Sequence, residues 1–517
     1  MSRTRKTIGR ITFVGAGPGD PGLLTVRAAE LLRDAGVVVV DPEVPEALLV
    51  GDAALARPDA DVRPAVGEPA DVAKALVYEA RAGHAVVRLV AGDPLTTDAV
   101  VKEAMAVART SVPFDVVPGV PAGTGIPAYA GVPLGSAHTA ADVRADVNWA
   151  SLAAAPQPLV LHATATHLGA ISATLVGYGL AGSLPACVTA EGTAATQHSV
   201  HTTLEELERA AGDLPGPVVV TVGAAVGQAT RLAWWESRAL YGWRVLVPRT
   251  KEQAAVMSER LVQHGAIPVE VPTIAVEPPR TPAQMERAVK GLVTGRYEWI
   301  VFTSTNAVRA IREKFTEFGL DARAFAGVKI ACVGEATAAA VRSFGITPEL
   351  LPSGEQSSEG LLEVFPPYDA VLDPIDRVLL PRADIATETL AAGLRERGWE
   401  IDDVTAYRTV RAAPPPADTR EAIKGGGFDA VCFTSSSTVR NLVGIAGKPH
   451  TRTIVACIGP QTAATAREFG LRVDVQPEVA QVPALVDALA AYAGQLRESG
   501  QTVPPSRKSK SKGRAVR

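Results

Sequence analysis

Short apolar runs punctuate this chain. Each gives way to Gly, Pro or a hydroxyl residue, and then to a segment with helical spacing. In the first half the runs are ITFVGAG (11–17), VVVVD (37–41), AVVRLVAGD (85–93), FDVVPG (114–119), PLVLHAT (158–164), PACVTAEGT (185–193) and VVVTVG (218–223). Segments such as LLTVRAAELLRDAG lie between them, with apolar positions recurring at helical intervals. Strand and helix in alternation predict an α/β fold. A Pro/Ala-rich stretch near 150–158 is expected to separate two lobes, 9–140 and 156–235. WWESRALYGW (234–243) marks the main joint, because a new strand, RVLVPR, begins directly after it.

Beyond that joint the pattern repeats. RVLVPR (244–249) returns as RVLLPR (377–382), WIVFTSTNAVRAI (299–311) as AVCFTSSSTVRNL (430–442), and CVGEATAAAVRSFG (332–345) as CIGPQTAATAREFG (457–470). The three offsets are 133 (377 − 244), 131 (430 − 299) and 125 (457 − 332). Chance likeness between apolar strands would not keep both order and spacing. The second half therefore reads as two copies of one α/β unit of roughly 130 residues, too long for a solenoid repeat.

Composition narrows the ligand. The chain has 517 residues, enough for three or four compact units, and only 5% are aromatic, so Ala, Val and Leu build the cores. A net charge of −4 excludes a nucleic-acid footprint and leaves a small molecule as the expected partner. Cys187, Cys332, Cys432 and Cys457 are widely spread and lack C-x-x-C spacing, so they are expected to be reduced, buried and cytoplasmic, with neither disulfides nor a metal site. No signal peptide and no run long enough to span a membrane is evident. The basic stretch 496–517 reads as a disordered tail. His198-x-x-His201 reads as exposed.

Each copy of the repeat carries two polar strand ends. Thr303 and Ser304 match Thr434, Ser435 and Ser436, and Thr337 matches Thr462. Parallel sheets bind ligands at the carboxyl ends of their strands, where helix N-termini offer free amides. Ser and Thr are also ordinary helix caps, but four such turns in matched pairs describe a cleft suited to a large, flexible polyanion. The copies differ at Tyr407, within EIDDVTAYRTVRAAPPP (400–416), where the chain leaves a strand; the first copy has Ala275 or Val276 in its place. A phenol there can donate a proton, or can simply be a buried tyrosine with a satisfied hydroxyl.

RVLVPR, WIVFTSTNAV, CVGEATA, SSEGLLE (357–363), VLLPRA, AYRTV, FTSSSTVRNL and CIGPQTAATA, in this order, resemble uroporphyrinogen-III synthase over about residues 243–492. The resemblance implies two α/β lobes, one from about 243–275 plus 412–492 and the other from about 277–410. It implies closure of hydroxymethylbilane, which bears eight carboxylates, into uroporphyrinogen III. The last pyrrole is inverted, water is lost and no cofactor is used. It places Tyr407 as the acid acting on the terminal hydroxyl and Thr337 and Thr462 on the cleft walls. Hydroxymethylbilane synthase would be the upstream partner.

GAGPGDPGLLT (15–25), VVVVD, VVRLVAGDP (86–94), VVPGVPAGTGIPAYAGVPL (116–134) and AEGT (190–193) resemble uroporphyrinogen-III C-methyltransferase over about residues 9–235. This implies a two-lobed module that binds S-adenosylmethionine at Pro18, Gly92, Asp93, Ala122 and Gly192, forms a homodimer, and uses Asp41 as proton acceptor. The family's Val-Gly-Lys, whose lysine is the proposed donor, is here Val66-Gly67-Glu68. Its Pro-Gln-x-x-Ile-Asn loop, Phe-Gly-Arg-Gly run and Gly-His element are missing, and a cofactor-lining methionine is replaced near Ala163. The sequence thus predicts a front half that keeps the fold and has lost part of its site, with Asp41 reduced to a strand-end residue. The alternatives are a fully bifunctional enzyme that also makes precorrin-2, and a non-catalytic tetrapyrrole carrier or sensor.

Overall fold

A computed structural model describes residues 8–500 apart from 46, 47, 50–54, 58 and 250. The stretch 501–517 of the expected tail lies outside the described residues, but 496–498 belong to the helix Val482–Glu498 rather than to a tail. Of the described residues, one compact unit takes 8–243 with 260–267 and 490–500, and the other takes 244–259 and 268–489, so the first break falls between Trp243 and Arg244.

The first unit holds two sheets. β1 (Ile11–Gly15), β2 (Val37–Val40), β3 (Asp61–Pro64), β4 (Val86–Val90) and β5 (Phe114–Val117) lie in the order β3-β2-β4-β1-β5. All are parallel, and β1 and β4 are buried along their length, as near-continuous apolar strands between helical layers should be. The second sheet comprises β6 (Thr139–Asp142), β7 (Leu159–Thr164), β8 (Pro185–Ala190), β9 (His198–Thr203) and β10 (Pro217–Val222), in the order β6-β7-β10-β8-β9. It is mixed: β6 runs parallel to β7, whereas β10 is antiparallel to β7 and β8, and β9 to β8. β6 belongs to this sheet, so the lobe border precedes Thr139 and not the Pro/Ala-rich stretch near 150–158, which instead carries the short helix Trp149–Ala153. β3, β6 and β9 lack apolar runs because they are edge strands with polar, partly exposed faces. His198 and His201 stand exposed on β9.

WWESRALYGW folds back onto the first unit. Trp235 Nε1 donates to Ala194 O at 3.0 Å, Trp234 Nε1 to Ala128 O at 3.0 Å, and the Tyr241 hydroxyl to Gln197 O.

In the second unit, β11 (Arg244–Val247), β12 (Ile267–Glu270), β18 (Ala430–Phe433) and β19 (Ile454–Cys457) form one sheet, ordered β12-β11-β18-β19. β13 (Ile274–Glu277), β14 (Trp299–Phe302), β15 (Lys329–Cys332), β16 (Arg377–Ala383) and β17 (Glu400–Arg411) form the other, ordered β13-β17-β16-β14-β15. The matched motifs occupy matched places: β11 and β16 carry the RVL repeat, β14 and β18 the Phe-Thr-Ser repeat, and β15 and β19 end at Cys332 and Cys457. β13 pairs antiparallel with the far half of β17, and these two strands are the connector between the lobes. All four cysteines are buried and free.

Candidate functional site

The residues that the sequence expects at the ring-closing site fall at or beyond the ends of the second unit's strands, Tyr407 excepted. Ser304 ends the turn after β14 and caps the helix Thr305–Glu317, its Oγ accepting from the Ala307 amide at 3.2 Å. The same Oγ lies 3.0 Å from the Tyr407 hydroxyl. Tyr407 does not follow its strand, as the sequence suggests, but sits inside β17. β16 and β17 slip register there, so that Ala383 faces Tyr407 directly after Arg382 faces Thr405. Beyond the slip β17 continues to pair with β13. Tyr407 is 8% exposed, its ring part of the core and its hydroxyl at the mouth of the turn. The 133-residue offset of the RVL repeat puts Ile274 at the matching position, one residue before Ala275.

In the other lobe, Ser435 caps the helix Ser436–Ala446 in a box with Thr438. Ser436 Oγ donates to Gln461 O at 3.2 Å and accepts from Thr465 Oγ1 at 2.9 Å, tying the turn after β18 to the turn after β19. Thr303 and Thr434 end their strands partly exposed, with no side-chain hydrogen bond among the described residues. Thr337 and Thr462 lie buried in the first turns of the helices Glu335–Ser343 and Pro460–Glu468. Sequence reasoning missed Gln356, whose Oε1 accepts from the Glu335 amide at 3.0 Å and caps the first of these helices. Its only sequence signal is a polar loop. No hydrogen bond among the described residues joins Thr337 to Thr462, and their helices follow β15 and β19, which belong to separate sheets.

In the first unit, all five residues expected at the cofactor site gather at strand ends. Gly17 and Gly92 form an antiparallel bridge, Gly17 N to Gly92 O at 3.2 Å and Gly92 N to Gly17 O at 2.8 Å, which brings Pro18 beside the turn after β4. Gly92 has φ +70, open to glycine at little cost, and a Cβ there would stand 3.5 Å from the Ala122 amide. Asp93 accepts from the Gly119 amide at 3.0 Å and the Leu95 amide at 2.9 Å. A Cβ on Gly119 would lie 2.3 Å from Gly92 O, so the backbones after β4 and β5 touch. Gly192 arrives from the second lobe between Glu191 (φ 48) and Thr193 (φ 68), and Thr193 Oγ1 accepts from the Asp20 amide at 2.9 Å. These are close backbone surfaces with one anchored carboxylate.

Asp41 follows β2, its amide donating to Leu89 O at 2.9 Å. Burial raises its pKa above the usual carboxylate value, against the opposing pull of Arg88 and of the Ala91 amide that it accepts. Arg88 itself is buried and committed to Glu103 at 2.7 and 3.1 Å, with Asp41 3.8 Å away. Asp41 is therefore adjacent to the Gly92–Asp93 turn and more basic than an exposed carboxylate. Glu68 is an exposed cap of the helix Pro69–Arg81, so the position expected for a proton donor holds an acid in solvent. Arg144 of the second lobe pairs with Glu43, two residues beyond Asp41, at 2.6 Å.

The family model for "Uroporphyrinogen-III synthase HemD" matches residues 255–487, and that for "Tetrapyrrole (Corrin/Porphyrin) Methylases" matches residues 10–208. The chain is 28% identical to the porphyrin biosynthesis protein HemD of Ruminiclostridium josui, over 94% of this chain and 98% of that protein. It is 35% identical to siroheme synthase 2 of Klebsiella pneumoniae, over 44% of this chain and only 53% of that protein. A uroporphyrin-III C-methyl transferase from Thermus thermophilus, solved with S-adenosyl homocysteine, is 30% identical over 42% of this chain and 99% of that one, at a TM-score of 0.38.

Proposed function

We propose that this chain, which joins a tetrapyrrole methylase domain to a HemD-type uroporphyrinogen-III synthase domain, closes hydroxymethylbilane into uroporphyrinogen III. The observation that carries the reading is the Tyr407 hydroxyl held 3.0 Å from Ser304 Oγ, at a helix N-terminus on the carboxyl edge of a parallel sheet. A phenol there protonates the departing hydroxyl as water. Ser304 then donates to the phenolate, which the positive end of the helix stabilises. The carbocation left on the terminal carbon is captured by the substituted α-carbon of the last pyrrole; that carbon's bond to its own bridging methylene breaks, the methylene bonds to the free α-carbon, and the proton lost there returns to the phenolate. The hydroxyl turns of both lobes hold the carboxylates so that this carbon attacks. No cofactor enters these steps.

The front domain keeps a cofactor cradle and a basic Asp41, which supports S-adenosylmethionine binding. The exposed Glu68 in place of a donor, and the Arg144–Glu43 pair beside Asp41, favour weak methyl transfer over a fully bifunctional enzyme. The same reading includes a cytoplasmic location, hydroxymethylbilane synthase upstream and a homodimer through the front domain.

The test supplies fresh hydroxymethylbilane with and without S-adenosylmethionine and resolves the products. Type III product is expected, with little methylated product. Methylated product as the main species would establish the bifunctional alternative. Tyr407→Phe separates an enzyme from a carrier: a carrier would bind and leave ring closure untouched by the substitution.

A further inference from the structure

The duplicated arginines of RVLVPR and RVLLPR have opposite fates. Arg382, at the end of β16, is buried and fully engaged. Its Nε donates to Asp403 at 2.7 Å, Nη2 to Glu388 at 2.6 Å and again to Asp403, and Nη1 to Thr387 O. Arg249, 133 residues earlier (382 − 249), follows β11 and is partly buried, yet no carboxylate, carbonyl or ring takes its guanidinium among the described residues. The same offset explains why. Glu388 corresponds to Ala255, so one acid is gone. Asp403 corresponds to Glu270, whose Oε1 is instead taken by the Ser258 hydroxyl at 2.6 Å. A partly desolvated guanidinium without an acceptor is costly to hold, and burial alone depresses its pKa.

The position lies at a strand end. The chain turns sharply after β11, Arg249 N donating to Val247 O at 3.0 Å, and β11 neighbours β18 in parallel. Arg249 therefore stands on the same carboxyl edge as Thr434, Ser435 and Ser436. We propose that Arg249 is the carboxylate anchor of this lobe, its fork taking a side-chain carboxylate of the linear tetrapyrrole. This rests on the ring-closing reading.

Two measurements on the full chain test it. R249Q should raise KM for hydroxymethylbilane roughly ten- to hundredfold, the loss expected for a charged hydrogen-bonded pair, with kcat near wild type. It should weaken binding of uroporphyrin I, read by fluorescence, by a similar factor, and flatten the dependence of that binding on salt. R249K keeps the charge without the fork, should fall between the two, and serves if R249Q does not fold. R382Q should instead lower the melting temperature, since it strands Asp403 and Glu388. Unchanged KM and uroporphyrin affinity in R249Q would overturn the proposal, as would a fall in kcat at constant KM. If wild type yields only the type I isomer, the ring-closing reading fails by itself, and the uroporphyrin measurement still decides whether Arg249 binds a tetrapyrrole carboxylate.

Discussion

Single residues carry the chemistry. Tyr407→Phe removes only the hydroxyl that meets Ser304 and should slow ring closure roughly 10²–10⁴-fold with little change in melting temperature, read by stopped or single-turnover assay. The cysteines give a second residue-scale outcome. Burial pushes Cys332 and Cys432 up to about 12, and Cys187 and Cys457 up to about 11, from an ordinary value of 9.0. The folded chain thus keeps its thiols protonated where the unfolded chain would ionise them. That contribution to stability is complete below pH ~9 and lost as pH rises towards 11–12. Denaturant midpoints should fall over that window, and a thiol reagent at pH ~8 should label nothing until the chain is unfolded. Tyr407 was legible as a break in the repeat, because a phenol among aliphatics stands out. Its burial within a register slip was not, because strand register is set by pairing with β16 and has no local sequence pattern. Arg249 was visible in the repeat from the outset, but its lack of a partner is a three-dimensional fact.

At the scale of elements, caps and glycines set the geometry. Ser435→Ala removes the acceptor for the Thr438 amide and should cost about 1 kcal/mol of stability, measured by thermal or urea unfolding. Gly119→Ala forces a methyl to within 2.3 Å of Gly92 O; it should cost about 1–3 kcal/mol or more and abolish S-adenosylmethionine binding measured by calorimetry. Wild-type affinity in that variant would mean the cradle is not the cofactor site. The buried parallel strands were readable because both faces are apolar. β3, β6 and β9 were not, since an edge strand such as DVRP or TAAD satisfies its backbone without an apolar run. The mixed pairing of the second sheet is a matter of chain direction, which no local pattern encodes.

At the scale of the molecule, two different two-lobed units share one chain, and the duplicated half breaks its symmetry in the places that matter. Tyr407 stands opposite an aliphatic, Arg249 lacks the acid partners of Arg382, and Gln356 caps a helix whose counterpart begins with Pro460. Duplication is legible as repeated motifs; divergence of function is legible only where the copies are overlaid in space. Because the cofactor residues lie in one unit and the ring-closing residues in the other, Asp93→Ala should remove S-adenosylmethionine binding and leave kcat/KM for ring closure unchanged. The most direct measurement is the isomer made from fresh hydroxymethylbilane by the purified full chain, with Tyr407→Phe alongside. The account predicts type III uroporphyrinogen from wild type and a large loss of it in the variant. Type I product alone from wild type, the isomer that forms without an enzyme, would contradict it.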